Sequence, residues 1–468
     1  MDDDTRRGYP RIVIAGMAGD SGKTMVSLGI TLLARERGMD VAAFKKGPDF
    51  IDAAWLSWAS GRPARNLDTH LMGFPGALAS FLRHGAPDAL HLVEGNRGLF
   101  DGMDSLGTHS TAELAKALQA PVILVLNAAK MTRTAAALVL GCRALDPDLQ
   151  LGGVILNNVA GSRHERVLRD SVETVGGVRV LGAIPRFPGD SPLPDRHLGL
   201  LPPQEHAGLS ELSDRIAKAC SPHLDVEGIL ALAQSVPPLE RPAEDELPSF
   251  PPLVTIGYLS DSAFTFYYPD NLEALEGRGA RLRPCSPLSG ETFPGDLDAL
   301  YIGGGFPETH AEALSAHVPW MEDLRRAVEG GLPVYAEFGG LMLLSRAIYW
   351  RGARFPMAGA LPFEVEVLPS PQGHGYAGLV VDGANPFFET GTRLKGHEFH
   401  YSRIVGPPGA VTTACRVERG TGCFPGRDAV VQDNVWAAYT HLHALSSPEW
   451  APALVARALR HRQAKGRR

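Results

Sequence analysis

IVIAGMAGDSGKT, residues 12–24, decides the fold of the first half of this chain. An apolar run from Ile12 to Ala15 enters a glycine-rich loop and then Lys23 and Thr24, where an amphipathic stretch begins. Gly16, Gly19 and Gly22 let the backbone curl until successive N–H groups face one centre, and a helix starting behind them adds positive potential there. Lys23 can then reach the β- and γ-phosphates of ATP while the Thr24 hydroxyl joins Mg²⁺. The strict phosphate-loop pattern has glycine where Met17 stands, so the match rests on the terminal Gly-Lys-Thr and its strand–loop–helix setting. The competing reading is a structural turn between a strand and a helix.

Outward from this loop, apolar runs alternate with amphipathic ones. Strands are expected at Arg11–Ala15, Val41–Lys45, Ala89–Glu94, Val122–Leu126, Gly153–Asn157 and Arg179–Ile184, with helices between them at Lys23–Arg37, Thr111–Leu118 and Arg163–Val175. That alternation predicts a parallel sheet covered on both faces. SVPPLERPAEDELPSFPP, residues 235–252, has proline too densely for regular structure and reads as a linker between domains 1–234 and 253–468. Strand–helix alternation resumes at Leu253–Tyr258, and beyond Phe355 the segments read as shorter and β-like before a last helix at Pro448–Arg460.

The composition agrees with two domains. At 468 residues the chain exceeds one ordinary core, and 44% hydrophobic with 21% charged residues is globular rather than disordered. A net charge of −7 gives no basic footprint for nucleic acid. The five cysteines, Cys142, Cys220, Cys285, Cys415 and Cys423, lack paired spacing, which argues against a disulfide framework or zinc site and for a reducing cytoplasm. No apolar stretch is long enough to span a bilayer and the first residues carry no signal core, so the expected location is cytoplasmic, with no membrane partner.

Two further strand ends carry chemistry. FKKGPDFID, residues 44–52, places Lys45, Asp49 and Asp52 where an open parallel sheet presents its ligand crevice. A lysine there suits phosphate or a substrate carboxylate, and the aspartates suit Mg²⁺ or the attacking group. HLVEGNRGLFDG, residues 91–102, adds Glu94 at a strand end and Asp101 seven residues on. Carboxylates from neighbouring strands facing one phosphate loop suit phosphoryl transfer, whose demand on a protein is positioning and charge neutralisation. The expected metal shell is Thr24, Asp49 and Glu94.

VYAEFGGLM, residues 334–342, is an apolar strand, a glycine corner and an apolar helix, the setting in which a glutamine-hydrolysing domain presents a nucleophilic cysteine. Phe338 stands at that corner. A phenyl ring cannot attack an amide carbon or form a thioester, so covalent glutamine hydrolysis by that route is excluded. GHEFHYS, residues 396–402, sets His397, Glu398 and His400 in a β-like stretch that lacks a third metal ligand and reads as structural or substrate-facing.

GMAGDSGKT, FKKGPDFID, EGNRGLFDG, HSTAELAK (109–116), GVILNNVAGSRHERVL (153–168) and LPDRHLGLLPPQEH (193–206), followed by YIGGGFPETHAEAL (301–314), GHEFHYS and YTHLH (439–443), resemble the cobyrinic acid a,c-diamide synthase family along almost the whole chain. The resemblance implies an α/β protein with an N-terminal phosphate-loop domain similar to dethiobiotin synthetase and a class I glutamine amidotransferase-like domain. It implies an ATP-dependent, Mg²⁺-dependent ligase that phosphorylates a tetrapyrrole carboxylate and lets ammonia displace the phosphate. Lys23, Thr24 and Glu94 would handle nucleotide and metal; Asp49, Asp52 and Asp101 would orient substrate, metal or ammonia. Gly304 and Gly305 would stabilise an oxyanion and His441 would be the base beside the missing cysteine. Where the family has tyrosine after the first aspartate, this chain has Phe50.

The same motifs are similar to the siroheme amidases of dissimilatory sulfur metabolism, which keeps siroheme or a related sirohydrochlorin as a rival substrate. A non-catalytic, nucleotide-regulated tetrapyrrole carrier and a partitioning-type ATPase are readings of other classes. The nitrogen donor is expected to be free ammonia or a separate glutaminase partner, and a homodimer is one arrangement left open.

Overall fold

The computed structural model describes residues 6–187, 193, 195–196, 199–206, 208–240, 250–406 and 411–466. Residues 241–249 of the Pro-rich stretch and parts of 193–206 lie outside these. The chain forms two compact units, Met1–Asp245 and Glu246–Arg468.

The first unit is built on seven parallel strands in the order Arg65–Leu67, Val41–Lys46, Leu90–Glu94, Arg11–Gly16, Val122–Asn127, Leu151–Val159 and Val180–Pro185. The strands Arg11–Gly16, Val41–Lys46 and Leu90–Glu94 are buried throughout, as expected of strands covered on both faces. On one face Val41 and Ala43 join an apolar cluster with Met25, Leu28, Trp55 and Leu56 from the helices Lys23–Glu36 and Phe50–Ser60. On the other, Phe44 meets Phe81 with ring centroids 5.0 Å apart. The chain runs to opposite sides of Arg11–Gly16 in successive excursions, so the sheet's switch point lies at the carboxyl end of that strand, beside Glu94.

The first strand begins with a buried charge. Arg11 is fully buried, and its guanidinium donates to the carbonyls of Leu118 (2.5 Å), Tyr9 (3.1 Å), Gly8 (3.2 Å), Gln119 (3.3 Å) and Pro237 (2.9 Å). Burial pulls its pKa down to about 10, which still leaves it charged at neutral pH. Pro237 belongs to the stretch expected to be a linker, and Leu239–Glu240 pairs antiparallel with Arg6–Arg7. The front of that stretch is therefore part of the first unit: proline excludes a ladder donor at its own position but not from its neighbours.

The second unit has a ten-stranded sheet. Ala280–Cys285, Val254–Leu259, Ala299–Ile302, Val334–Glu337 and Val435–Ala438 are parallel; Arg427–Gln432, Thr412–Arg419, Gly373–Val381, Arg393–His400 and His441–Leu442 continue the order with antiparallel pairings. Strands of nine residues at Gly373–Val381 and eight at Arg393–His400 are longer than the sequence suggested, because glycine and histidine within them mask the β signal. His441–Leu442 ends the order, yet only Tyr439 and Thr440 separate it from Val435–Ala438 in the middle. Two residues span roughly 7 Å, so the antiparallel half curls back toward the parallel half. Tyr301, Tyr335, Trp436 and Trp450 pack in the core beneath.

Replacing Arg11 by Met removes the donor from five carbonyls, of which those of Leu118 and Tyr9 are buried. The expected result is a loss of about 2–4 kcal/mol from the urea unfolding of the first unit, read by tryptophan fluorescence. An unchanged midpoint would show that Arg11 does not clamp these segments.

Candidate active site

The phosphate loop has the local geometry its sequence requires at two of its three glycines. Gly22 adopts φ 91°, and a Cβ there would lie 2.1 Å from Asn157 Nδ2; at Gly16 it would lie 2.8 Å from the Ser21 side chain. Gly19 faces open space with no such demand. A short 3-10 turn, Gly19–Ser21, precedes the helix that begins at Lys23. Lys23 is buried, and its ammonium donates to Ala18 O (2.9 Å), Gly19 O (3.1 Å) and Arg97 O (2.9 Å), which ties the loop to the Gly95–Asp101 loop. Burial and the nearby Lys45 lower its pKa, against the pull of Glu94, Asp52 and Asp20.

The next residue of the helix is Thr24, whose Oγ1 donates to Glu94 Oε1 at 2.9 Å and approaches Asp52 Oδ1 at 3.5 Å. Lys45 Nζ lies 2.6 Å from Asp52 Oδ2 and 3.0 Å from Glu94 Oε1, and donates to Gly95 O. Burial alone would lower the Lys45 pKa, but the Asp52 and Glu94 charges outweigh it and hold it above its ordinary value. Glu94 is fully buried, which raises its carboxyl pKa, and among the described residues its Oε2 has no hydrogen-bond partner. A buried carboxylate oxygen with free lone pairs, next to a hydroxyl and a second carboxylate, fits Mg²⁺: the donors are all hard oxygens.

The residues brought together are thus Thr24, Lys45, Asp52 and Glu94. Asp49 stands at the rim, where its Oδ1 accepts from Asp52 N at 2.7 Å and caps the helix Phe50–Ser60. Burial and the Asp52 charge push its pKa up to about 7. Asp101 is exposed, and its Oδ2 accepts from Gly98 N at 2.9 Å, bracing the loop rather than contacting Thr24 or Glu94. Sequence reasoning missed Lys46, buried beside Lys45, and three asparagines at strand ends. Asn157 donates to Ser21 O (3.1 Å), and Asn158 donates to Asn127 Oδ1 (3.0 Å). A polar residue closing each of two apolar strands, VILVLN and GVILNN, was the available signal.

In the second unit Phe338 occupies a strained corner, φ 40° and ψ −93°, between the strand Val334–Glu337 and the helix Gly339–Leu344. Its ring is buried against His400, Tyr439 and His441, with the His441 ring edge-on at 6.1 Å. His441 Nδ1 is 3.1 Å from Glu337 Oε2, and Glu337 Oε1 accepts from Leu442 N. The expected oxyanion donor Gly304 is already engaged: its N–H donates to Phe266 O at 3.3 Å, because the two residues form a β-bridge. His397 stacks on His441 and bonds Tyr268 OH; burial and the neighbouring His441 and His443 keep it neutral, its pKa well below the ordinary value. His400 lies 3.5 Å from Glu398 and stacks on Tyr439. All five cysteines are buried; Cys285 closes the strand Ala280–Cys285, and burial lifts its thiol to about 11.

Residues 12–201 match the CobQ/CobB/MinD/ParA nucleotide binding domain, and residues 255–449 match the CobB/CobQ-like glutamine amidotransferase domain. Three curated relatives named cobyrinate a,c-diamide synthase align along nearly the full length. The Magnetococcus marinus protein is 43% identical over 95% of this chain and 96% of its own. That of Archaeoglobus fulgidus is 40% identical over 96% and 98%, and that of Methanothermobacter thermautotrophicus 37% over 94% and 98%. The chain belongs to the cobyrinate a,c-diamide synthase family. A nucleotide-binding α/β domain followed by a glutamine amidotransferase domain is that family's architecture, and ligase is its enzyme class.

The raised pKa of Asp49 has a sign that can be checked. The folded unit holds this proton more tightly than the unfolded chain, so its contribution to stability is present at low pH and is lost as pH rises from about 4 to about 7. Asp49→Asn keeps a helix-capping side chain without the charge. The variant is expected to melt higher than the parent at pH 8, with the gap closing as pH falls toward 4; a pH-independent gap would remove the Asp49–Asp52 repulsion from the account.

Proposed function

We propose that this chain amidates the a and c acetate carboxylates of cobyrinate in an ATP- and Mg²⁺-dependent reaction. The observation that carries the reading is Glu94: a fully buried carboxylate with an uncommitted oxygen, set at the switch point of the sheet beside the phosphate loop and shared with Thr24, Lys45 and Asp52. A substrate carboxylate oxygen attacks the γ-phosphorus of ATP, the bond to the β-phosphate oxygen breaks, and ADP leaves an acyl phosphate. Thr24, Glu94 and Asp52 would hold Mg²⁺, which neutralises phosphate charge when bound. Lys23 and the loop N–H groups bind the phosphates. Ammonia then attacks the acyl carbon, phosphate departs with the C–O electron pair, and the extra proton passes to a carboxylate at the rim. Asp49, held near neutrality, suits that proton, and Asp101 shapes the loop over it.

The nitrogen is taken from ammonia, free or delivered by a separate glutaminase. Phe338 leaves His441 no thiol to deprotonate, and Glu337 already orients that imidazole. The curated relatives compared above all carry the cobyrinate name, and nothing among them supports siroheme or a non-catalytic carrier. No helix among the described residues is long and apolar enough to cross a membrane, and a cytoplasmic setting fits the scattered free cysteines.

Mass spectrometry of cobyrinic acid incubated with the protein, ATP and Mg²⁺ tests this. Mono- and diamide are expected with ammonium and not with glutamine, and Glu94→Gln is expected to lower kcat by roughly 100-fold or more. Equal yield from glutamine would overturn the account of Phe338, and amidation of siroheme in preference to cobyrinic acid would overturn the substrate.

A further inference from the structure

Consecutive side chains on a strand point to opposite faces of its sheet. In Val41–Lys46 this sends Val41, Ala43 and Lys45 toward the helices Lys23–Glu36 and Phe50–Ser60, and Phe44 and Lys46 toward the helix Thr69–His84. Two adjacent lysines therefore serve different faces. Lys45 is neutralised by Asp52 and Glu94 at 2.6 and 3.0 Å. Lys46 is also buried, 6% exposed, yet among the described residues its ammonium makes no hydrogen bond or ion pair.

Its surroundings are asymmetric. Burial lowers its pKa; Asp68 and Asp101 act to raise it, Lys45 and Arg97 to lower it. Both acids have other work: Asp68 Oδ1 caps Thr69–His84 through His70 N and Leu71 N, and Asp101 Oδ2 holds Gly98 N. Arg97 is exposed at φ 51°, a conformation that costs energy in a non-glycine residue; its carbonyl is fixed by Lys23 while its side chain stays in solvent. An ammonium carried on a buried stem, without a close counter-ion among the described residues and near an exposed guanidinium, suits an anion from outside the chain.

We propose that Lys46, with the neighbouring Arg97, is a carboxylate-receiving subsite that holds a peripheral carboxylate of the tetrapyrrole. This rests on the ligase reading and names positioning residues for its acceptor side. The alternative anion is a nucleotide phosphate, but the phosphate loop and Lys23 already form that cradle, and Lys46 points to the face opposite Lys45.

The test uses the full chain and two titrations without turnover: cobyrinic acid followed by its visible absorbance, and ATP with Mg²⁺ by calorimetry. Lys46→Met is expected to weaken cobyrinic acid roughly 10- to 100-fold, the range for one buried charged hydrogen bond, with ATP within about twofold. Lys46→Arg is expected to recover most of the loss, and in turnover the Met variant is expected to raise KM for the tetrapyrrole at nearly constant kcat. Equal affinity in parent and folded Lys46→Met, or a loss confined to ATP, overturns the proposal. Should Lys46→Met fail to fold, Arg97→Gln decides, its side chain being exposed: unchanged affinity for cobyrinic acid overturns the subsite. A parent chain that binds cobyrinic acid without amidating it defeats the ligase reading and not this one; a parent that does not bind it defeats both.

Discussion

A carboxylate with no access to water is the constraint around which the first unit is arranged. Glu94 ends a strand buried along its whole length, so its charge has to be met inside the protein. Lys45 on the next strand, Thr24 on the helix behind the phosphate loop and Asp52 on a third element converge to do so. The result carries more acceptor oxygens than its one committed ammonium can satisfy, and Glu94 Oε2 is left open. Such a donor set suits a divalent cation, which Glu94, Asp52 and Thr24 would hold. Parallel order is what makes this compact: neighbouring strands end on the same edge of the sheet, so residues far apart in sequence share one crevice.

The second unit shows a different constraint, a backbone shape that persists with another side chain on it. The corner at Phe338 holds a positive φ that a phenylalanine gains nothing by adopting, fixed by Phe338 N to Ala438 O (2.8 Å) and Met342 N to Phe338 O (3.0 Å). Glu337 supplies the reason for the strand's exact placement. Its two oxygens hold His441 and Leu442 N, joining the last strand of the sheet to the middle one. That pairing is structural whether or not a thiol stands next to it, and it accounts for an ordered imidazole with no nucleophile to activate.

Much of this was legible in the sequence, for stated physical reasons. The six strands of the first unit expected from apolar runs all exist, because strands buried on both faces are nearly continuous hydrophobic stretches. The short edge strand Arg65–Leu67 escaped, since three residues give no periodicity. Thr24, Lys45, Asp52 and Glu94 were readable as strand-end and loop chemistry. The division of labour among the aspartates was not: Asp49, Asp52 and Asp101 look alike as letters, and only the helix start at Phe50 and the turn at Gly98 give Asp49 and Asp101 backbone N–H groups to hold. Nor could the letters show that the Gly304 N–H is engaged by a bridge to Phe266, from a segment almost forty residues earlier.

The pair Lys45-Lys46 condenses the argument. In sequence it is a doubled basic residue, and a solvated surface would be its ordinary meaning. In a strand buried on both sides the two side chains are sent apart by alternation, Lys45 to the carboxylates of Asp52 and Glu94 and Lys46 to the neighbourhood of Asp68 and Asp101, which accept from backbone amides. Desolvation acts on both, so each requires an anion; for Lys45 the chain provides it, and for Lys46 it does not at contact distance. A protein that must bind two polyanions at once, a nucleotide and a polycarboxylate, needs two cation sites kept from exchanging ligands. Setting them on adjacent residues of one strand, with the sheet itself between them, achieves that separation without any additional element of structure.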